Sequence, residues 1–231
     1  MVTVSISLFN YEQYVRETLD SVLEQTLDDF ELLIVDDCST HASGTVAREW
    51  LERNQARFTS ARLVQHDRNG GLHAARNMGF EAASGDYVFV LDADNVLYPR
   101  CLERCLQAIQ SAGAQFAYPI LEVFDGAADL MNTELWNVDR LARGNYIDAM
   151  ALVDRSAWQR VGGYSSLGAP GWEDFDFWCT FAEHGFAGVL VPEILARYRL
   201  HADSMLRTVT HASADALNAE MEARHSWLSL R

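Results

Sequence analysis

The chain has 231 residues and 18 basic side chains, all of them arginine; against 33 acidic residues the formal net charge is −15. The lack of lysine excludes a Walker-type NTPase, a protein kinase, and Schiff-base or pyridoxal-phosphate chemistry, since each needs a lysine amine. The acidic balance argues against nucleic-acid partners and against a polybasic membrane patch, because both depend on cations meeting phosphates. An apolar fraction of 49% suits one globular domain. The apolar runs have strand length, far short of the ~20 residues a membrane helix needs. The four cysteines, Cys38, Cys101, Cys105 and Cys179, match no zinc knuckle or disulfide framework and read as free thiols of a reducing cytosol.

In chain order, Val2–Leu8 (VTVSISL) alternates apolar and small polar residues, as a strand does, and reads as a strand rather than a leader. Asn10, with Gln13 three residues on, resembles a capping box for a helix carrying Val15, Leu19, Val22, Leu23 and Thr26. FELLIV at 30–35 fits a strand covered on both faces and runs into Asp36-Asp37-Cys38-Ser39. A helix is expected over 42–53, a strand over 62–65 and a helix over 71–83. DYVFVL at 86–91 is a fourth strand, ending in Asp92-Ala93-Asp94-Asn95, and Pro99 opens a helix to about 112. This repetition of strand and helix predicts βαβ units and a mostly parallel sheet with right-handed crossovers. Ligands bind at the carboxyl ends of such strands, where both acidic clusters fall.

The second half is less regular. Strands are expected over 114–124 and 149–154, with 129–137 poorly defined. A short helix through Trp158 leads to a turn at Gly162-Gly163. A helix over 173–184 ends at Gly185. Short strands follow at 188–192 and 196–200, then a helical tail carrying Leu217, Met221 and Leu228, which either caps the core or forms an oligomer interface.

Five constellations carry candidate chemistry. Asp92 and Asp94, at i and i+2 past a buried strand, offer hard oxygen ligands to Mg²⁺ or Mn²⁺ on a diphosphate; an acidic turn is the plainer reading. Asp36-Asp37 suits a turn, or a receiver-type Mg²⁺ site, but a receiver also needs a lysine. Trp172-Glu173-Asp174-Phe175-Asp176 opens a helix, where the dipole favours acids, and a buried carboxylate there could serve as a general base. His201, after Tyr198-Arg199-Leu200, could complete a Mn²⁺ site beside a carboxylate. Asn69-Gly70-Gly71 permits close backbone approach to a ligand, and Arg76 could meet a base or phosphate. The histidines at 41, 66, 73, 184, 211 and 225 suggest no ligand pairing.

Taken in order, SISLFNYEQYVRETLDSVLEQT, FELLIVDDCS, NGGLHAARNMG, GDYVFVLDADN, VGGY, GWEDFDFW and YRLHADSM resemble the family 2 glycosyltransferases, inverting enzymes of GT-A fold. The likeness runs from about Val2 to Met205. It implies a single α/β GT-A domain over 1–206, divided into a nucleotide-sugar half (1–112) and an acceptor-binding, catalytic half (113–206), with a helical tail over 207–231. It implies that Ser7 and Phe9 line the nucleotide pocket, that Asp37 pairs with the base, commonly uracil, and that Arg76 approaches the base or phosphates. Asp92 matches the acid near the ribose, Asp94 and His201 the holders of Mn²⁺ or Mg²⁺, Asp174 the catalytic base and Glu173 its neighbour that fixes geometry. The expected reaction is metal-dependent, inverting transfer from a UDP-sugar to a glycan, lipid-linked or other hydroxyl acceptor in polysaccharide or glycoconjugate synthesis. The expected place is the cytoplasm, with the inner face of the membrane as a peripheral site.

Three positions depart from the family pattern. Leu8 stands where Pro or Thr is common. Asn95 replaces an acid after the DxD. Asp148-Ala149-Met150 occupies the acceptor-facing segment with a composition that assigns no role. The processive synthases' membrane helices have no counterpart, so polymerisation with export is not expected. Two other readings remain. A sugar nucleotidyltransferase would need a Gly-rich N-terminal loop, absent from 2–10; a non-catalytic sugar-nucleotide binder has Asn95 as its only hint.

Overall fold

The alternation of β1 (Val2–Leu8) decides how the sheet is covered. In the computed structural model, which describes residues 1–126, 128–201 and 214–230, all seven residues of this strand are buried. Val2, Val4, Ile6 and Leu8 enter one core. Thr3, Ser5 and Ser7 face the other side, where their small size lets helix α3 (Leu72–Ala82) approach so closely that a Cβ on Gly79 would collide with Ser5 Oγ. β2 (Phe30–Asp36) splits likewise: Leu32 and Ile34 join the first core, Leu33 and Val35 pack with Ala75 of α3. Both faces of these strands are covered, as parallel strands require.

Between them run α1 (Val15–Leu23), α2 (Ser43–Asn54) and β3 (Ser60–Gln65); β4 (Tyr87–Asp92), β5 (Val96–Leu97) and α4 (Cys101–Ala112) complete the first half. The second half comprises β6 (Phe116–Phe124), β7 (Asp129–Met131), α5 (Val138–Leu141), β8 (Leu152–Asp154), α6 (Arg155–Val161), α7 (Glu173–Glu183), β9 (Gly188–Arg199) and α8 (Ala214–Arg224). Among the described residues the sheet order is β3-β2-β1-β4-β8-β6-β9-β5, with β7 beside β6. β1 pairs in parallel with β2 and β4, and the register sets Ser7 opposite both Val35 and Asp92. The carboxyl ends of these strands are therefore level, and the segments that leave them open onto one edge. β8 enters antiparallel between β4 and β6.

A second core, on the far side of β4 and β6, is largely aromatic. Phe116 stacks on Trp178 at 4.4 Å between ring centroids, and Phe175, Phe177 and Phe181 of α7 close around them. Each such ring contributes about 1.5–3 kcal/mol by leaving water. This packing anchors α7, whose first turn carries the acids of the GWEDFDFW motif. The tail caps this core: α8 buries Leu217 and Met221, and Leu228 joins it. His225 is clamped between two carboxylates of α7, Nε2 at 3.1 Å from Asp176 Oδ1 and Nδ1 at 2.8 Å from Glu183 Oε1, while Arg224 Nη1 lies 3.1 Å from Asp176.

Four expectations are corrected. The Asn10–Gln13 capping box does not form; Asn10 adopts φ 58° and its Oδ1 accepts from Thr40 N at 2.9 Å, tying the β1 exit to the β2 exit, and α1 begins after Tyr14. The two strands expected around Pro192 are one, because register shifts opposite Pro119–Leu121 let Pro192 and Glu193 bulge without ending the pairing. The poorly defined stretch at 129–137 contains β7, which pairs with β6. The strand expected from 149 starts at Leu152. The expected boundary between 206 and 207, the 202–205 end of YRLHADSM and His211 lie outside the described residues.

Candidate active site

A cavity of about 860 Å³ opens at the carboxyl ends of β1, β2 and β4, and is closed on its other side by the 130–134 and 145–148 segments and the first turn of α7. Eight of the nine residues singled out from the sequence line it: Ser7, Phe9, Asp37, Arg76, Asp92, Asp94, Glu173 and Asp174. His201 stands behind this wall and reaches it through Asp94, with Nε2 3.1 Å from Asp94 Oδ2 and both side chains 10% exposed.

Asp37 is buried, and its carboxylate is engaged with the chain itself. Oδ1 accepts from Gly70 N and Oδ2 from Gly71 N, each at 2.8 Å, and His66 Nδ1 lies 2.5 Å from Oδ1. Gly70 leaves no room for a side chain, since a Cβ would stand 2.9 Å from Ala74 Cβ, and Gly71 has φ 85°. The glycines read from the sequence as room for a ligand serve first to wrap this loop around Asp37. His66, which showed no pairing in the sequence, is its third partner. Asp36 faces inward, bonded to Ser39 N and Gln65 Nε2 at 3.0 Å, and belongs to the fold.

Arg76 projects from α3 into the cavity with 5% exposure. Its Nη2 lies 3.2 Å from Asp92 Oδ2, and its guanidinium stands 5.4 Å from the Tyr164 ring centroid. Burial opposes its charge, but Asp92, Tyr164, Asp174 and Glu173 together hold it firmly protonated. This arginine joins the DxD side of the cavity to the α7 side. Asp94 is pushed up to about 6 by burial and by Asp92, with His201 opposing. Asn95 is fully inside: its Oδ1 accepts from Arg199 N at 2.9 Å, and Arg199 Nε donates to Asp94 O at 2.8 Å. Arg199 is held in turn by Glu17 and Asp125. Asn95 thus locks the DxD loop to the end of β9, the strand that delivers His201, and its amide has a structural use.

The three acids of α7 diverge. Glu173 Oε2 turns back to accept from Gly171 N at 2.9 Å. Asp176 faces the tail. Asp174 faces the cavity, with Oδ1 taking Phe175 N at 2.8 Å and Oδ2 taking Asn145 Nδ2 at 3.1 Å. Burial pushes its carboxyl up to about 6; Arg76 pulls it down and Glu173 raises it. A carboxylate with that affinity is poised to take a proton near neutral pH.

The sequence did not reveal Asn132, Asn145 or the role of Asp148. All three line the cavity. They come from the least regular part of the chain, where no periodic pattern signals position. Asp148, left without a role by composition, is pushed up to about 7 by burial, then by Asp174 and Asp92.

Among the described residues, no three Asp, Glu, His or Cys side chains converge as a ready-made cation cage. The donor set is Asp94 with His201, and Asp92 beside them. One carboxylate and one imidazole within 3.1 Å, in a site where burial opposes the bare negative charge, fit a divalent cation whose remaining positions are filled by substrate oxygens and water.

Comparison with known proteins places the chain in a family. Residues 3–167 match the family model described as glycosyl transferase family 2. EpsE of Bacillus subtilis, named as a glycosyltransferase, is 28% identical over 214 residues, covering 89% of this chain and 75% of its own length. The crystal structure of S. aureus TarS in complex with UDP-GlcNAc superposes with a TM-score of 0.74 at 16% identity, over 90% of this chain and 60% of that one. The mannosyltransferase PcManGT from Pyrobaculum calidifontis, in complex with GDP-Man and Mn²⁺, gives 0.72 at 18% identity, over 98% and 69%. These two likenesses bear on the fold, which is GT-A; the family model spans well over half of the sequence, and the chain belongs to glycosyl transferase family 2.

Proposed function

We propose that this chain is a metal-dependent, inverting glycosyltransferase that moves a sugar from a nucleoside-diphosphate donor, UDP-linked, to an acceptor hydroxyl in polysaccharide or glycoconjugate synthesis. The observation that carries the reading is the joint placement of Asp92, Asp94 and Asp174 on one cavity, with Arg76 between them, bonded to Asp92 and interacting electrostatically with Asp174. TarS binds UDP-GlcNAc, and the Pyrobaculum enzyme GDP-Man with Mn²⁺, which supports a nucleotide-sugar donor and a divalent cation; the pair of Asp94 and His201 is the donor set this chain offers it. Such a cation would supply charge neutralisation for the diphosphate leaving group. The bond that Asn95 Oδ1 accepts from Arg199 N gives this amide a structural use, which weakens the one feature that favoured a non-catalytic binder. The 1–112 half would hold the nucleotide of the donor and the second half the acceptor, while residues 214–230 would brace α7.

The residues then act as follows. Ser7, Phe9 and the Asp37 loop form the floor for the nucleotide. Arg76 brings a positive charge to the donor and keeps Asp174 more acidic than burial alone would leave it. Asn145 orients Asp174 through Oδ2. Asp174 accepts the proton of the acceptor hydroxyl as that oxygen attacks C1 from the face opposite the diphosphate. The C1–oxygen bond to the diphosphate breaks in the same displacement, and the anomeric configuration inverts. The walls from 130–134 and 145–148 restrict water as a competing acceptor.

The test is incubation with UDP-glucose, UDP-GlcNAc or GDP-mannose together with a panel of glycan and lipid-linked hydroxyl acceptors, with and without Mn²⁺ or Mg²⁺. Metal-dependent release of nucleoside diphosphate is expected. Pyrophosphate formed from a nucleoside triphosphate and a sugar phosphate would instead identify a nucleotidyltransferase. Tight binding without turnover toward any acceptor would identify a binder.

A further inference from the structure

Two residues on the wall that the second half of the chain contributes to the cavity are used neither by the DxD side nor by the base. Asn132 follows β7, is 3% exposed and has φ 58°, a left-handed conformation that asparagine tolerates better than most residues. Its Oδ1 accepts from Asp148 N at 2.8 Å. Its Nδ2 is buried with no hydrogen-bond partner among the described residues. Asp148 spends Oδ1 on Met150 N at 2.8 Å. Both side chains line the cavity. An unpartnered amide donor inside a folded protein is costly unless something fills it, so a buried one on a cavity wall points to a ligand atom.

We propose that Asn132 and Asp148 together read two neighbouring hydroxyls of the transferred sugar, and that this sugar is uncharged. The proposal rests on the glycosyl-transfer reading above. A donor from Asn132 and an acceptor from Asp148, tied together by one backbone bond, match a vicinal diol, whose two hydroxyls can accept at one oxygen and donate from the other. The position argues for the donor sugar rather than the acceptor. Asp148 shares the cavity with Asp92, Arg76 and Asp174 and interacts electrostatically with all three, so it stands near both the base and the DxD, close to where the ring attached to the leaving diphosphate must sit. Asn145, which orients Asp174, is three residues before it.

The charge of the wall narrows the sugar. The arginines that line the cavity are both paired, Arg76 with Asp92 at 3.2 Å and Arg140 with Glu134 at 2.9 Å. Among the described residues that line the cavity no guanidinium stands unpaired for a sugar carboxylate, and Asp148, which interacts electrostatically with Asp174, would repel one. A uronic acid is therefore disfavoured and a neutral hexose or N-acetylhexosamine favoured.

The variants D148N and N132D are nearly isosteric and keep the bonds to Met150 N and Asp148 N. Calorimetry with Mn²⁺ compares UDP-glucose, UDP-GlcNAc, GDP-mannose and UDP-glucuronate, each against its free nucleoside diphosphate. Each variant should lose about 10- to 100-fold in affinity for the sugar nucleotide that wild type prefers, as expected for a hydrogen bond involving a charged or buried partner. Affinity for the free nucleoside diphosphate should stay within about twofold, which also reports an intact fold. Equal losses for the sugar nucleotide and its diphosphate would overturn the assignment, as would no loss for either variant. Wild-type preference for UDP-glucuronate would overturn the charge argument. Wild type that binds no nucleoside diphosphate at all would overturn the transferase reading, and this one with it.

Discussion

Asp174→Asn separates a catalytic role from a structural one, because the two move in opposite directions. The carboxyl titrates near 6 in the folded protein against an ordinary 3.8. A raised carboxylate pKa means that the folded state binds more protons than the unfolded state between those values, so stability falls as pH rises through that window. Above pH 6 the whole cost of holding the anion is present. The shift of about two units corresponds to roughly 3 kcal/mol at 1.36 kcal/mol per unit, an upper figure for what an uncharged amide could recover at pH 7.5. The variant should therefore melt higher at neutral pH, and this advantage should fade toward pH 4. Turnover should fall by about 100- to 10,000-fold, the usual loss with a general base. In the wild type, kcat/KM should drop about tenfold between pH 7 and pH 5, since the ionised fraction falls from about nine-tenths to one-tenth. Nucleoside diphosphate release and a thermal melt at three pH values suffice as assays. A variant that keeps more than a tenth of wild-type turnover would refute the base assignment; one that is inactive and also melts lower would show that Asp174 supports the fold instead.

Three further outcomes are expected. Arg76→Met should destabilise the protein by about 3 kcal/mol in chemical denaturation, because it strips the partner from Asp92, and any remaining activity should show its acid limb moved to higher pH, since Arg76 lowers the affinity of Asp174 for protons. Asp94→Ala, or chelation of the wild type, should remove metal-dependent donor binding in calorimetry; wild-type binding indifferent to EDTA would count against the Asp94–His201 site. His225→Gln should cost more stability at pH 6 than at pH 9. Burial lowers the His225 affinity for protons, but its bonds to Asp176 and Glu183 raise it above the ordinary value. Its ionic contribution is thus complete below the unfolded value of about 6.5 and is lost as pH rises through the higher folded value. A pH-independent difference between the melting temperatures of wild type and variant would contradict that pairing.

Much of the site was legible before any coordinates, and the reason lies in the parallel strands. A strand buried on both faces must be nearly all apolar, so FELLIV and DYVFVL announce themselves, and the acids that end them are placed at the sheet's ligand edge by topology alone. Asp92 and Asp94 could be singled out for that reason, and Arg76 and Asp174 because a glycine loop and an acidic first helical turn carry them and the ordered motifs resemble a known family. The same logic fails after residue 124. There the chain supports the site through turns, a left-handed asparagine and single hydrogen bonds, none of which has a period. Asn132 went unmarked and Asp148 was marked without a role, because what sets them apart is what they touch, not how they are spaced.

The sequence by itself determined the α/β class, the edge where the chemistry sits and the want of any lysine mechanism, because these follow from periodicity and composition, which are local. Tertiary structure alone decided which carboxylates remain available to a ligand. Asp36, Asp37, Glu173 and Asp176 are drawn wholly or largely into bonds with the chain's own backbone and side chains. Asp94 and Asp174 are left in a buried cavity where their negative charge is costly. That cost depends on burial and on neighbours distant in sequence, chiefly His201 for one and Arg76 for the other, and no reading of adjacent residues contains it.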